Sequence, residues 1–486
     1  MTPGLILAVI GAYFAVLFVV ARVTGRGADN SGFFIGNRNS PWYVVAFGMI
    51  GASLSGVTFI SIPGWVADTG FGYMQMVLGY LVGYAVIGFV LIPLYYKLNL
   101  ISIYGYLAQR FGPASYRTGA SFFLLSRLVG ASFRLFLVAG VLDAFVLGPF
   151  GIPFWATVLA TIALIWVYTA EGGIRTIVWT DTIQTAAMLA AVVLAVVFIG
   201  RELGLGPGCI VHAVAESEFS TIFHWGDFAG SGNHFAKQFL SGALIAVVMT
   251  GLDQDMMQKN LSCRNERESR RNVLSMSWAL IPVNLLFLSL GALLYIYAAR
   301  EGIAVPAKAD HLFPTIALEH MPVVVGVVFT LGLIAAAYSS ADSALTSLTT
   351  SFCVDILGVE HRPDEEARRM RRRTHIAMSV VLAVVIYGFS FIGDESVIGQ
   401  VFRFAGFTYG PLLGLFAYGL LTREPVADRF VPMIALTSVA LTIGLHLTSE
   451  PLLGYTFGYE LLLVNGTFTF VGLAISRAFT TTRRHG

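Results

Sequence analysis

FGMIGASLSGVTFISIPGWV, residues 47–66, is apolar and long enough to cross a membrane, yet it makes a poor continuous helix. Gly48, Gly51, Gly56, Pro63 and Gly64 fall within it, interleaved with Ser53, Ser55 and Thr58. Gly and Pro weaken the helical ladder, and an interrupted span frees backbone carbonyls that can replace the hydration shell of a small cation. Close helix packing through small residues is the competing use. A second stretch weighs against packing alone: VVMTGLDQDMMQKNL, residues 247–261, carries Thr250, Gly251, Asp253, Gln254, Asp255 and Gln258 in a second interrupted span. It lies about five spans further on and so crosses in the opposite direction. Interrupted segments at matching places in two halves point to a transporter binding site. The spacing fits two inverted five-span repeats.

Working outward, the 486 residues are 56% hydrophobic and only 12% charged, with a mean hydropathy of +0.75. A soluble domain has about a quarter charged residues, so this chain could not cover a soluble surface. Apolar segments of about 20 residues, the length that spans a bilayer core, recur to the C-terminus. The expectation is an all-α polytopic membrane protein of about 13 transmembrane helices. The first segment, GLILAVIGAYFAVLFVVARV (4–23), lacks a basic leader and a small-residue cleavage site, so it reads as a span and not a signal peptide. The organisation expected is an extra N-terminal helix in 1–30, a first repeat in 42–200, an extracellular loop at 201–237, an inverted second repeat in 238–421, and two C-terminal helices with a cytoplasmic tail in 430–486.

Cationic loops resist translocation. Of the 30 Lys and Arg residues, most cluster in alternate loops, including QKNLSCRNERESRRN (258–272) and RPDEEARRMRRRTH (362–375). That asymmetry expects an inner-membrane protein with its N-terminus outside and its C-terminus cytoplasmic, and it places Lys259 in a cytoplasmic loop. Neither basic loop is long enough for a nucleic-acid module. Cys209, Cys263 and Cys353 sit in unlike contexts, without a zinc or disulfide framework. No phosphate-binding loop is present, so ATP-driven transport is not expected. An intramembrane enzyme would need paired carboxylates in Tyr-Asp and Gly-x-Gly-Asp signatures, or His-Glu-x-x-His, and the sequence has none of them. The chain is not expected to be an enzyme.

An ionisable group at the centre of a span costs about 2.5–3.5 kcal/mol on insertion scales, so each is a functional candidate. Arg127, Arg134, Asp181, Asp253, Asp255, Asp342 and Arg403 qualify. AAAYSSADSALTSLTTSF, residues 335–352, adds eight hydroxyls around Asp342. Ala336, Ser339, Ser340 and Ser343 follow i, i+3, i+4, i+7 and share one helix face, with Asp342 at its border. Hydroxyls, carbonyls and a carboxylate suit Na⁺, although Ser and Thr can also bond back to their own helix.

Five segments in order resemble the sodium:solute symporter family: GASLSG with PG in the second span, EGGIRTIVWTDTIQ (171–184), DQDMMQKNL (253–261), AYSSADSALTSLTTSF (337–352) and GPLLGLF (410–416). The likeness runs from roughly residue 30 to 420. It implies a leucine-transporter-type 5+5 inverted repeat and Na⁺-coupled uptake by alternating access. Carried over by position, a main Na⁺ site is formed by the carbonyls of Gly51, Leu54 and Ala336 with the hydroxyls of Ser339 and Ser340. Some members have a second Na⁺ site, which maps here to Asp181, Ser339, Asp342 and Ser343. Hydroxyls usually stand where this chain has Asp342, so a second Na⁺ and a shared proton both stay open.

SRLVGASFRLF (126–136) places Arg134 within the fourth span. Arg is a planar bidentate partner for carboxylates. At this place, and at Ser53, Ser55 and Thr58, the chain is similar to the family's sialic-acid carriers, which implies an acidic organic solute. Asp253 and Gln254 are further candidates for the cavity or inner gate, and Tyr338 and Tyr409 for gate aromatics. The expected partners are the solute, one or two Na⁺ ions and the bilayer, with no nucleic acid and no obligate protein. The alternatives are a neutral-sugar or amino-acid symporter, a proton-coupled carrier, a channel or a solute sensor.

Overall fold

The computed structural model describes residues 3–26, 29–170, 172–391 and 397–481; among helical residues, some side chains, Ser55 included, fall outside the description. The described chain is helical, with one isolated bridge between Ser40 and Cys263. The principal helices are α1 (Pro3–Thr24), α2 (Trp42–Thr69), α3 (Tyr73–Lys97), α4 (Pro113–Leu142), α5 (Phe154–Thr169), α6 (Ile174–Glu202), α7 (Phe235–Gly251), α8 (Gln254–Leu261), α9 (Glu266–Glu301), α10 (Val323–Ile356), α11 (Asp364–Phe389), α12 (Val397–Leu421), α13 (Val431–Leu453) and α14 (Leu461–Ser476).

Nine helices among the described residues are long and apolar enough to cross a membrane, and two bent pairs qualify as one span each. The chain is a multi-pass membrane protein. The bent pairs are the two interrupted stretches of the sequence. α2 bends by 54° between Leu54 and Gly56, and α7 meets α8 at 65°. Two shorter apolar helices, α5 and α14, complete the set.

Burial ranks the helices. In its most apolar window α10 is 72% buried, against 22% for α1 and for the corresponding window of α13. The central helix is therefore the one that carries the hydroxyls. α2, α4 and α6 pack against it, α9 packs on α2 and α6, α3 lies against α7, and α12 lies against α4 and α14. Small residues set these distances: a Cβ added at Gly79 would stand 2.1 Å from the Phe239 carbonyl oxygen of α7. This is the close backbone approach that drives helix association where no water is expelled.

The segment between α6 and α7 contains a short helix, Pro207–Ala215, and a single 3₁₀ turn, Glu218–Ser220. It folds back over the end of α2, where the Phe71 amide donates to the Thr221 carbonyl at 2.9 Å.

Candidate functional site

The break in α2 faces both α6 and α10. Gly48 lies against Asp181, where an added Cβ would meet the Asp181 Cβ at 3.0 Å. At Gly51 an added Cβ would stand 2.1 Å from Thr185 Oγ1. Beyond the bend, a Cβ added at Gly56 would stand 2.8 Å from Val138 Cγ2 of α4 and 3.5 Å from the Ala337 Cα of α10. Thr185 donates to the Gly48 carbonyl at 3.2 Å, and Ser339 donates to Asp181 Oδ1 at 2.7 Å. The residues expected to hold the main Na⁺ are on two helices, α2 and α10, beside Asp181 and Thr185 of α6, and Ala336, Ser339 and Ser340 are all buried.

The donor set suits a cation. Ser340 Oγ is buried and has no hydrogen-bond partner among the described residues. An orphaned hydroxyl in a dry interior is costly unless something else satisfies it. Gln184, one turn beyond Asp181, likewise has neither amide atom paired.

The second break is chemically different. A π-type turn, with the Leu252 amide donating to the Val247 carbonyl at 3.0 Å, precedes it. The exposed carbonyls are then taken by phenols: Tyr95 donates to the Gly251 oxygen at 2.8 Å, and Tyr104 to the Leu252 oxygen at 3.0 Å. Asp253 caps α8, accepting from the amides of Asp255 at 2.9 Å and Met256 at 3.3 Å, and receives the Tyr409 hydroxyl on its other oxygen. This is ordinary N-cap chemistry, which satisfies helix-start donors.

Asp253 and Gln254, candidates for the cavity or the inner gate, are not on the wall of the cavity beside the α2 break. Gln254 holds the segment after α3, accepting from the Ile103 amide and donating to the Ile101 carbonyl, both at 2.9 Å. Each end of this amide is thus directed at the backbone of that segment and not at the cavity. Tyr409 is bound to Asp253, and Tyr338 packs its edge on Phe14 with ring centroids 4.7 Å apart.

A cavity of about 90 Å³ opens beside the α2 break, lined among others by Ser53, Leu54, Thr58, Arg127, Arg134, Thr250 and Asn284. Tyr73, Tyr80 and Tyr84 add phenols to its wall, the first two hydrogen-bonded to each other at 3.0 Å. The two cavity arginines differ in state. Arg127 is ion-paired with buried Asp255, whereas Arg134 makes no ion pair or hydrogen bond to a described residue. A second cavity of about 280 Å³, with Trp65, Asn233, Arg403 and Tyr459 on its walls, shares Tyr73 and Phe402 with the first. These two side chains therefore stand between the two spaces.

Lys259 corrects the sequence reading. It does not sit in a basic loop; it is buried in α8, 1% exposed, and its Nζ is 2.6 Å from Asp181 Oδ2. Asp342 accepts the Tyr168 hydroxyl at 3.0 Å and its neighbour's amide, from Ser343, at 2.6 Å. A hydropathy window that ends the seventh span near residue 257, two residues short of it, conceals this lysine. The N-cap Asp253 signals that a helix restarts after the break, so that Lys259 is on a helix and not in a loop.

The sequence pattern of the sodium:solute symporter family matches residues 33–421. The sodium/sialic acid symporter NanT of Aliivibrio fischeri is 27% identical, covering 87% of this chain and 83% of its own. The sodium/sialic acid symporter SiaT of Proteus mirabilis is 23% identical, covering 88% and 87%. Among solved structures, the substrate-bound outward-open state of a Na⁺-coupled sialic acid symporter superposes with a TM-score of 0.83 at 19% identity over 98% of each chain, which shows the same fold. The match spans most of the chain, both broken helices included: this protein belongs to the sodium:solute symporter family.

Proposed function

We propose that this chain is a Na⁺-coupled symporter that imports a carboxylate-bearing solute by alternating access. The observation that carries the reading is the pair of cavity arginines, one paired with Asp255 and one open to the cavity. An Arg exposing its full donor fork in a half-dry space is suited to a planar carboxylate. The hydroxyls of Ser53, Thr58 and Thr250 and the nearby phenols suit the hydroxyl groups of an acidic sugar. The two similar proteins named as sodium/sialic acid symporters favour that class of solute.

The coupling ion lies between the α2 break and α10, held by the carbonyls of Gly51, Leu54 and Ala336 and the hydroxyls of Ser339 and Ser340. Leu54 lines the cavity wall, so the ion and the solute share one helix break. Binding of the ion stiffens that break, and the solute then meets Arg134 and the hydroxyls in fixed positions. A Na⁺ moving inward gains about 2.3 kcal/mol per 100 mV of membrane potential, which drives accumulation of the solute.

The nine long helices, the two bent pairs and the two shorter helices correspond to about thirteen spans, with α2–α6 and α7–α12 as inverted repeats. With the N-terminus outside an inner membrane, the larger cavity is the external vestibule, and Tyr73 and Phe402 separate it from the solute. The segment 201–237 then lies outside, and the basic clusters lie in the cytoplasm.

The test is a thermal-stability screen in Na⁺ and in choline, with N-acetylneuraminic acid, monocarboxylates, amino acids and neutral sugars. Stabilisation by an acidic solute that requires Na⁺ and is lost in Arg134→Ala is expected. Best binding of a neutral sugar, indifferent to Arg134→Ala, overturns the assignment.

A further inference from the structure

Lys259 is a cation where a second coupling ion would be expected. Asp181 is the carboxylate around which a second Na⁺ would be held, and its two oxygens are both engaged. Oδ1 accepts the Ser339 hydroxyl at 2.7 Å, and Oδ2 is 2.6 Å from Lys259 Nζ. Neither Lys259 Nζ nor Asp181 Oδ2 has another partner among the described residues, and both side chains are almost wholly buried. The residues around this position do not fit a free second ion, because an ammonium already stands in contact with its principal ligand.

The charges around the position lead to the same view. Lys259 is in electrostatic range of Asp181, Asp255 and Asp342. Asp255 is already neutralised by Arg127. With Asp342 counted as a carboxylate, that leaves Asp181 and Asp342 against Lys259, one negative charge in excess. Ser339 belongs to the main Na⁺ site and also touches Asp181, so one Na⁺ there lies beside the excess charge and cancels it. A second Na⁺ would leave a net positive charge in the dry interior, where an uncompensated ion is costly.

We propose that the Lys259 ammonium is a tethered resident cation at the second cation position, and that this chain therefore binds a single Na⁺ per transport cycle. The inference rests on the proposed Na⁺ site at Ser339 and Ser340. The lysine is carried on α8, the short helix after the second break, while Asp181 is on α6 and Asp342 on α10. The ion pair thus joins the second broken helix to α6, the Asp181–Ser339 hydrogen bond carries the link on to α10, and the lysine takes over a bridging task without drawing on the sodium gradient.

Equilibrium binding of ²²Na⁺ to the purified full chain at pH 8.5, in choline-balanced buffer without solute, measures this directly. The wild type is expected to saturate at one ion per chain, and Lys259→Arg also at one. Lys259→Met, which keeps the length and removes the charge, is expected to rise to two. Two ions on the wild type overturn the assignment, as does a Lys259→Met variant that stays at one. Where Lys259→Met does not fold, the wild-type stoichiometry decides alone. A wild type that binds no Na⁺ fails the proposed function itself, and the two failures are thereby distinguished.

Discussion

The Ser339 hydroxyl donates to Asp181 Oδ1 at 2.7 Å, and the next residue, Ser340, has a buried hydroxyl with no partner among the described residues. One of the two adjacent hydroxyls thus spends its proton on a carboxylate and keeps its oxygen lone pairs for an ion, and the other has no competing partner among the described residues. Replacing both with Ala removes two of the five oxygens assigned to Na⁺. Each lost ligand is expected to weaken Na⁺ about tenfold, as for a loss of about 1.4 kcal/mol. Half-saturating Na⁺ for solute uptake into proteoliposomes measures this. An unchanged Na⁺ dependence in Ser339→Ala/Ser340→Ala would remove the site from this helix face.

The two arginines of the solute cavity are expected to fail differently. Arg134→Ala should abolish Na⁺-dependent stabilisation by an acidic solute while leaving the melting temperature of the empty protein nearly unchanged, since no described group depends on it. Arg127→Ala strands the buried carboxylate of Asp255, and breaking such a pair typically costs about 3–5 kcal/mol. Its signature is a lowered melting temperature even without solute. Equal melting temperatures for the two variants would contradict the division of roles.

The broken helices are legible in the sequence because Gly and Pro inside an apolar run weaken the helical ladder wherever they fall. The hydroxyl face of α10 is legible because 3.6-residue periodicity is local, and Arg134 follows from the same local logic, a charge within a span. Lys259 is not legible, because hydropathy ends a span where polarity rises, and the polar residues of α8 are buried by contacts from other helices. Gln254 and Asp253 look like cavity residues since sequence shows the type of a polar group and not its partner. Their partners lie about 150 residues away for Gln254, at Ile101 and Ile103, and in Tyr409 for Asp253.

The asymmetry between the breaks gives a further test. Tyr95→Phe and Tyr104→Phe would uncap the Gly251 and Leu252 carbonyls, leaving buried acceptors unpaired at a cost of about 1–3 kcal/mol each. Lower thermal stability with unchanged Na⁺ affinity is the expected result, because the carbonyls of this break are not ion ligands. A loss of Na⁺ affinity equal to that of the Ser339 and Ser340 variants would place a cation at the second break instead.

Gly51 is where the broken helix comes closest to its neighbour. An added Cβ would stand 2.1 Å from Thr185 Oγ1 and 3.1 Å from Thr185 Cβ. The nearer atom is the end of a side chain that already donates to the Gly48 carbonyl, so it cannot swing away without losing that bond. Gly51→Ala therefore has to push α2 off α6, and the carbonyls of Gly51 and Leu54 move with it. The expected outcome is a chain that still folds but has Na⁺ affinity reduced by roughly tenfold or more. Thr185→Ala removes the 2.1 Å obstacle and leaves the approaches to Cβ at 3.1 Å and Cα at 3.3 Å, which a shift of a few tenths of an ångström relieves. The double variant Gly51→Ala/Thr185→Ala should accordingly bind Na⁺ more tightly than Gly51→Ala alone, even though it carries one more substitution. Additive loss in the double variant would mean that the close approach of α2 to α6 is not what positions the ion ligands.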